Sequence, residues 1–96
     1  MRNQKAFAME FLGTMILAVA VVGSGHMAAL LATDAGTKLL INALATAIGL
    51  AVVIRIGMKV SGSHFNPVVT LVMLYLKRVD LKTAAFYIAS QITGAI

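Results

Sequence analysis

The stretch S-G-S-H-F-N-P-V-V-T, residues 61–70, is the one extended polar interruption in a 96-residue chain that is 60% hydrophobic. It groups Ser61, Ser63, His64 and Asn66 and ends them at Pro67, the single proline. The apolar residues that follow run only to Leu76. As a helix, Pro67 to Leu76 is about 15 Å long, half of a bilayer core of roughly 30 Å. The fold turns on whether this segment crosses a membrane or enters one and returns.

Composition makes the membrane the natural solvent. Charged residues are 11% of the chain and the mean hydropathy is +0.96. One domain of this size cannot hide so much apolar surface from water. There is no cysteine, which excludes a disulfide scaffold and a thiolate metal site. The net charge is +5, but the basic residues flank apolar runs and do not interleave with aromatics. Membrane topology accounts for them better than nucleic-acid binding.

The first apolar run, A-F-A-M-E-F-L-G-T-M-I-L-A-V-A-V-V at 6–22, predicts a transmembrane helix over about 6–25. A cleaved signal peptide also pairs a basic end with an apolar run, but this run is longer than usual and holds Glu10. Gly23, Ser24 and Gly25 weaken its far end, and 26–38 reads as a connector. A second helix is expected over about 39–57. Ala43, Ala47 and Ala51, and Ala45 with Gly49, offer small-residue spacings for close helix packing. The expected re-entrant loop is 58–66 and the half-helix 67–76. A third helix, about 81–96, carries the small pairs Ala85/Ala89 and Ser90/Gly94 and runs uncapped to the last residue, as though truncated.

Charge separates the two topologies. With the N-terminus in the cytoplasm and a re-entrant segment, Arg2, Lys5, Arg55, Lys59, Lys77, Arg78 and Lys82 lie inside and only Lys38 outside. A true crossing moves Lys77, Arg78 and Lys82 outside and leaves four against four. The positive-inside rule selects the hairpin. Irregular backbone at membrane depth is tolerated only where protein buries it or it lines a wet cavity. Asn66 then reads as an N-cap and Pro67 as the first helical residue. The half-helix dipole points its positive end at the bilayer centre, where Asn66 offers amide donors and the preceding carbonyls offer acceptors. That geometry suits a narrow pore for neutral hydrogen-bonding solutes and opposes cations and protons. A helix-breaking kink, with Asn66 satisfying only its own backbone, is the simpler alternative.

These residues resemble the first signature of the aquaporin, or major intrinsic protein, family, S-G-x-H-x-N-P-A-V-T. Further likeness lies in E-F-L-G-T (10–14), V-V-G-S-G (21–25), N-A-L-A-T (42–46) and Q-I-T-G-A (91–95), and bacterial or archaeal members look most similar. The resemblance implies an all-α integral membrane fold: two full transmembrane helices, a re-entrant half-helix and the start of a third helix, the first of two inverted repeats. It implies a passive channel for water, glycerol or other small neutral solutes in the cell membrane, a homotetramer when complete, with no cofactor. Asn66 would hydrogen-bond the permeant, Pro67 would start the half-helix, and Gly62, Ser63 and His64 would lend carbonyls to the inner vestibule. Glu10 would brace the hairpin from the first helix, in keeping with a buried carboxyl's need for a partner, and Gln91 would pack against it. Thr46 would contribute to the outer selectivity filter.

Two departures qualify the likeness. Val68 stands where the family has alanine, and the chain has no second Asn-Pro. These residues alone therefore cannot enclose the family's pore, and the expectation is half a channel that needs the second repeat. A half-size protein pairing with an inverted copy of itself is opposed by the charge bias, and a non-transporting helix-packing fragment is a further alternative. An enzyme reading, with Glu10 and His64 as an acid–base pair or His26 and His64 as metal ligands, lacks any supporting motif spacing.

Overall fold

The computed structural model describes residues 2–96; Met1 and the side chain of Arg2, both part of the basic N-terminal stretch, lie outside the described residues. The chain is all-helical: α1 (Arg2–Leu31), α2 (Ala35–Ser61), α3 (Pro67–Tyr75) and α4 (Leu81–Ala95). The first two are long and apolar enough to cross a membrane. The third, nine residues long, reaches about 14 Å and is not.

Each later helix begins at a side-chain cap. Asp34 accepts from Thr37 N and Asp80 from Thr83 N, both at 2.8 Å, and Asn66 accepts from Val68 N at 2.7 Å. Pro67 follows Asn66 at the first helical position, where its missing N–H costs nothing. α3 ends on a paired turn, Lys77 N to Leu74 O and Arg78 N to Met73 O, with Lys77 left-handed at φ 60°.

The boundaries of the first two helices differ from the sequence expectation. α1 runs through Gly23, Ser24 and Gly25 to Leu31, and α2 starts at Ala35, so the connector is 32–34 instead of 26–38. In an apolar medium the intrahelical hydrogen bonds have no competing water, so glycine there does not end the helix. α2 likewise continues to Ser61, and the irregular segment shortens to 62–66.

Neighbour contacts fix the direction of every helix. Asn42 of α2 reaches Val21 O (2.8 Å) and Ser24 Oγ (3.0 Å) of α1. Further along α2, Gly49 faces Ala20, and Gly57 faces Met9. The two helices are antiparallel. α4 meets Phe7 through Phe86, Glu10 through Gln91 and Phe11 through Gly94, so it runs parallel to α1. The end of α2 and the start of α4 therefore lie at the end where α1 begins. The intervening segment is a hairpin that returns to the side it left. Lys5, Arg55, Lys59, Lys77, Arg78 and Lys82 gather toward that side, and Lys38 toward the other.

Only some of the small residues picked out above are used at the contact faces: Gly49 and Gly94 lie in the helix seams, and the alanine spacings do not. α2 packs on α1 along Asn42, Gly49, Val53 and Gly57, while Ala43, Ala47 and Ala51 are exposed. α4 buries Ala84, Tyr87, Gln91 and Gly94, while Ala85 and Ala89 are exposed. Small residues mark where helices can approach; the partner's position decides which of them are used.

Gly94 tests the α1–α4 seam. A Cβ there would sit 2.3 Å from the backbone oxygen of Phe11, whereas one at Gly23 meets nothing within 4 Å. Gly94→Ala is expected to destabilise by about 1–3 kcal/mol and Gly23→Ala not to, read by thermal unfolding in detergent. The Asp80 cap tests α4. Hydrogen bonding from Thr83, side chain first and backbone second, holds the Asp80 carboxyl below its ordinary value. With a lowered folded value, the cap's contribution is present above the usual carboxylate range and lost as pH falls through that folded value. Protection of the Thr83 amide, measured against its intrinsic exchange rate at each pH, should therefore fall as pH drops below the ordinary carboxylate range, and Asp80→Asn should remove that pH dependence.

Candidate functional site

The irregular segment 62–66 is the centre of the site. Gly62 caps α2 at φ 84° with its N–H on Met58 O, and two non-glycine residues after it are also left-handed: Ser63 at φ 54° and Phe65 at φ 52°. Such conformations cost of order 1–3 kcal/mol each and persist only where the surroundings fix them. Here the fixing group is Glu10. Its Oε2 accepts from Ser61 Oγ (2.6 Å) and His64 N (3.2 Å), and its Oε1 from Phe65 N (2.9 Å) and Gln91 Nε2 (2.6 Å). Glu10 has no solvent exposure. Successive backbone N–H groups converging on one carboxylate form an anion nest, filled from within the chain.

Phe65 is locked from both sides. A Cβ on Gly13 would come within 2.1 Å of the Phe65 ring, and one on Gly57 within 2.8 Å. The ring thus fills the space that two glycines leave on α1 and α2. Ser63 is held by Ser61 Oγ at its N–H (3.2 Å) and donates its hydroxyl to Ile54 O (2.9 Å).

A second layer joins the hairpin to α4. Gln91 Nε2 also donates to Thr70 Oγ1 (2.9 Å), and His64 Nδ1 lies 3.0 Å from the same oxygen. With the Thr70 proton on Asn66 O (3.3 Å), the His64 proton sits on Nδ1 and Thr70 accepts from both neighbours. Tyr87 donates to Ser61 O at 2.6 Å and stands edge-on to His64 at 4.9 Å between ring centres. Gln91 Oε1 is enclosed without a partner among the described residues.

Asn66 lies at the outer edge of this network. It is exposed, its Oδ1 is engaged by Val68 N, and its Nδ2 makes no hydrogen bond among the described residues. The carbonyls of Gly62, Ser63, His64 and Phe65 likewise accept none. Gln91, bonded to the first turn of α3, is about 15 Å along α4 from Leu81, a rise equal to half the thickness of a bilayer core. Free donors and free acceptors therefore adjoin on one face.

Of the residues the sequence singles out, Glu10, Gly62, Ser63, His64, Asn66, Pro67 and Gln91 come together here. Val68 is on the exposed side of α3, 65% accessible. Thr46 is apart, about 22 Å along α2 from Ser61, with its hydroxyl enclosed and without a partner among the described residues, on the face that carries Asn42, Gly49 and Val53. His26 is exposed on α1, about 24 Å along that helix from Glu10. Thr70, Tyr87, Gly13 and Gly57 belong to the site and were not singled out. Thr70 had a signal, since it is one turn after Asn66 and, apart from Tyr75 at the far end, is the one polar side chain in the half-helix.

The pattern of the major intrinsic protein family matches residues 1–96. The chain is 44% identical over 87 residues to Aquaglyceroporin AqpS of Rhizobium meliloti (strain 1021), covering 91% of this chain and 37% of that protein. It is 39% identical over 92 residues to Aquaporin A of Dictyostelium discoideum (96% and 33%), and 35% identical over 97 residues to Aquaporin-5 of Rattus norvegicus (96% and 33%). No solved structure matches it. The all-helical hairpin fold and its membrane-buried polar network define an integral membrane protein. The chain belongs to the major intrinsic protein family, and it spans about a third of the length of these curated relatives.

Glu10→Gln tests the network. An amide offers one acceptor oxygen where the carboxylate offers two, so its NH₂ faces donors. Two buried donors left unpaired cost about 1–3 kcal/mol each, giving an expected loss of about 2–6 kcal/mol in detergent unfolding. Ser61→Ala should cost less, because it removes a donor together with its bond.

Proposed function

We propose that residues 1–96 form one repeat of a passive membrane channel for water or small neutral solutes. The observation that carries this reading is Asn66. Its oxygen is tied to Val68 N while its amide nitrogen stays free on an exposed face, beside four unpaired carbonyls. A permeant crossing that face exchanges its own hydrogen bonds with donors and acceptors in turn. The dipole of α3 presents about half a positive charge at the same point, which disfavours cations and protons without excluding neutral molecules.

Names among the relatives, aquaporin and aquaglyceroporin, support water and glycerol-like solutes. In this reading Gly62, Ser63 and His64 line the approach to Asn66. Val68 sets the shape of the junction with a second half-helix, and Thr46 acts toward the opposite mouth. Glu10 and Gln91 support the hairpin. The pore closes only with a second repeat, in this chain's parent protein or in another copy, and the complete channels assemble as homotetramers in the cell membrane. The excess of Lys and Arg at the end where α1 begins supports a cytoplasmic N-terminus.

Stopped-flow osmotic swelling of vesicles checks the proposal. The protein in its full encoded length should raise water permeability above protein-free vesicles, and residues 1–96 alone should stay at background. Asn66→Ala should lower the permeability roughly fivefold, the equivalent of one hydrogen bond of about 1 kcal/mol. A variant as permeable as the parent protein would sink the Asn66 role.

A further inference from the structure

We propose that the cleft at the α3–α4 turn binds the phosphate headgroup of an anionic phospholipid, with Lys77 and Arg78 as its cationic wall. The cleft has a volume of about 610 Å³ and is lined by Leu74, Lys77, Arg78, Val79, Asp80 and Thr83. It lies at the basic end of the molecule, where α3 ends and α4 begins. The inference rests on the chain's membrane-embedded fold and is independent of what the pore conducts.

Three observations point to that ligand. The two cationic residues are adjacent on a fixed turn of backbone, because Lys77 N bonds Leu74 O (3.0 Å) and Arg78 N bonds Met73 O (2.9 Å). Lys77 occupies a left-handed site, φ 60°, that favours glycine. A side chain kept at a strained position points to a use for it. Second, the chain itself does little to neutralise the pair. The acid in the cleft, Asp80, caps Thr83 N at 2.8 Å and keeps its negative charge, but it stands against Lys77, Arg78 and the nearby Lys82, which leaves the cleft net positive. Glu10 is buried within the helices.

Third, the cleft joins cations to an apolar border. Leu74 and Val79 line it, and Tyr75 and Leu76 beside it are 84% and 53% exposed. A free phosphate uses only the charged half of such a surface. A phospholipid uses both, with its tails against the apolar border and its headgroup at the membrane surface, where tyrosine is also favoured.

Native mass spectrometry of the full-length protein in detergent, titrated with phosphatidylglycerol or phosphatidylcholine, tests the proposal. Phosphatidylglycerol should bind the more tightly by about tenfold or more. Lys77→Gln/Arg78→Gln should weaken it about 25-fold, from roughly fivefold per cation. Lys77→Arg/Arg78→Lys and Lys5→Gln/Lys59→Gln, the latter on the same side of the molecule, should retain it. Lys77→Gly separates binding from folding, since glycine relieves the left-handed strain. It should match or exceed the parent in thermal stability and still bind phosphatidylglycerol about fivefold more weakly. Equal binding of the two lipids overturns the proposal. So does equal loss in the Lys5/Lys59 variant, which would mean diffuse attraction to the whole face. Displacement of the lipid by millimolar inorganic phosphate overturns it in favour of a free-anion site.

Discussion

One carboxylate organises this molecule. An ion taken out of water carries a penalty of several kcal/mol, and in lipid no solvent is at hand to offset it. Glu10 meets that constraint by accepting four hydrogen bonds: from the end of α2, from two consecutive backbone N–H groups of the hairpin, and from α4. Charge-assisted bonds are about twice as strong as neutral ones, so each of those elements is drawn to one point on α1. The left-handed turns at Ser63 and Phe65 follow from this. They put the His64 and Phe65 N–H groups on the carboxylate and the Phe65 ring between Gly13 and Gly57. Loss of the carboxylate would remove the reason for the strain together with the means of holding it.

The half-helix α3 divides its roles by face. Val68 and Thr70 are two residues apart and so point to nearly opposite sides. Thr70 is fully buried, and its oxygen gathers Gln91 and His64. Val68 and Asn66 are exposed. Changes on the exposed side can therefore alter what the face meets while the supporting network is untouched.

The parts of this fold legible in the sequence are those set by local physics. Apolar runs of bilayer length mark α1 and α2, and Asn66 before a ten-residue stretch that begins at Pro67 marks a capped half-helix. The seven-to-one charge asymmetry identifies the hairpin. Glu10 is conspicuous because an intramembrane acid needs a partner. Less legible is everything that depends on which surfaces meet. The alanine spacings at 43, 47 and 51 identify a face that could pack closely, yet α1 lies against the neighbouring one. Gly13, Gly57 and Gly94 take their meaning from a ring or backbone far away in the chain. Tyr87, one aromatic among apolar neighbours, gives no hint that its hydroxyl ends on Ser61 O. Gly23 and Gly25 mislead by carrying their behaviour in water into a solvent where helices tolerate them.

The hairpin's backbone shows why it belongs beside a polar space. Its N–H groups turn inward: Gly62 to Met58 O, Ser63 to Ser61 Oγ, and His64 and Phe65 to Glu10. Its carbonyls from Gly62 to Phe65 find no partner among the described residues. At membrane depth an unpaired backbone oxygen costs several kcal/mol if lipid covers it. Four in succession, next to an asparagine amide with free donors, cannot face hydrocarbon. They require water, a hydrogen-bonding solute or further polar protein on that side. The sorting of donors inward and acceptors outward follows from Glu10, because an acceptor-only group recruits N–H groups and leaves the carbonyls for the opposite face. The carboxylate that holds the hairpin together thus also determines the chemistry of the surface it exposes.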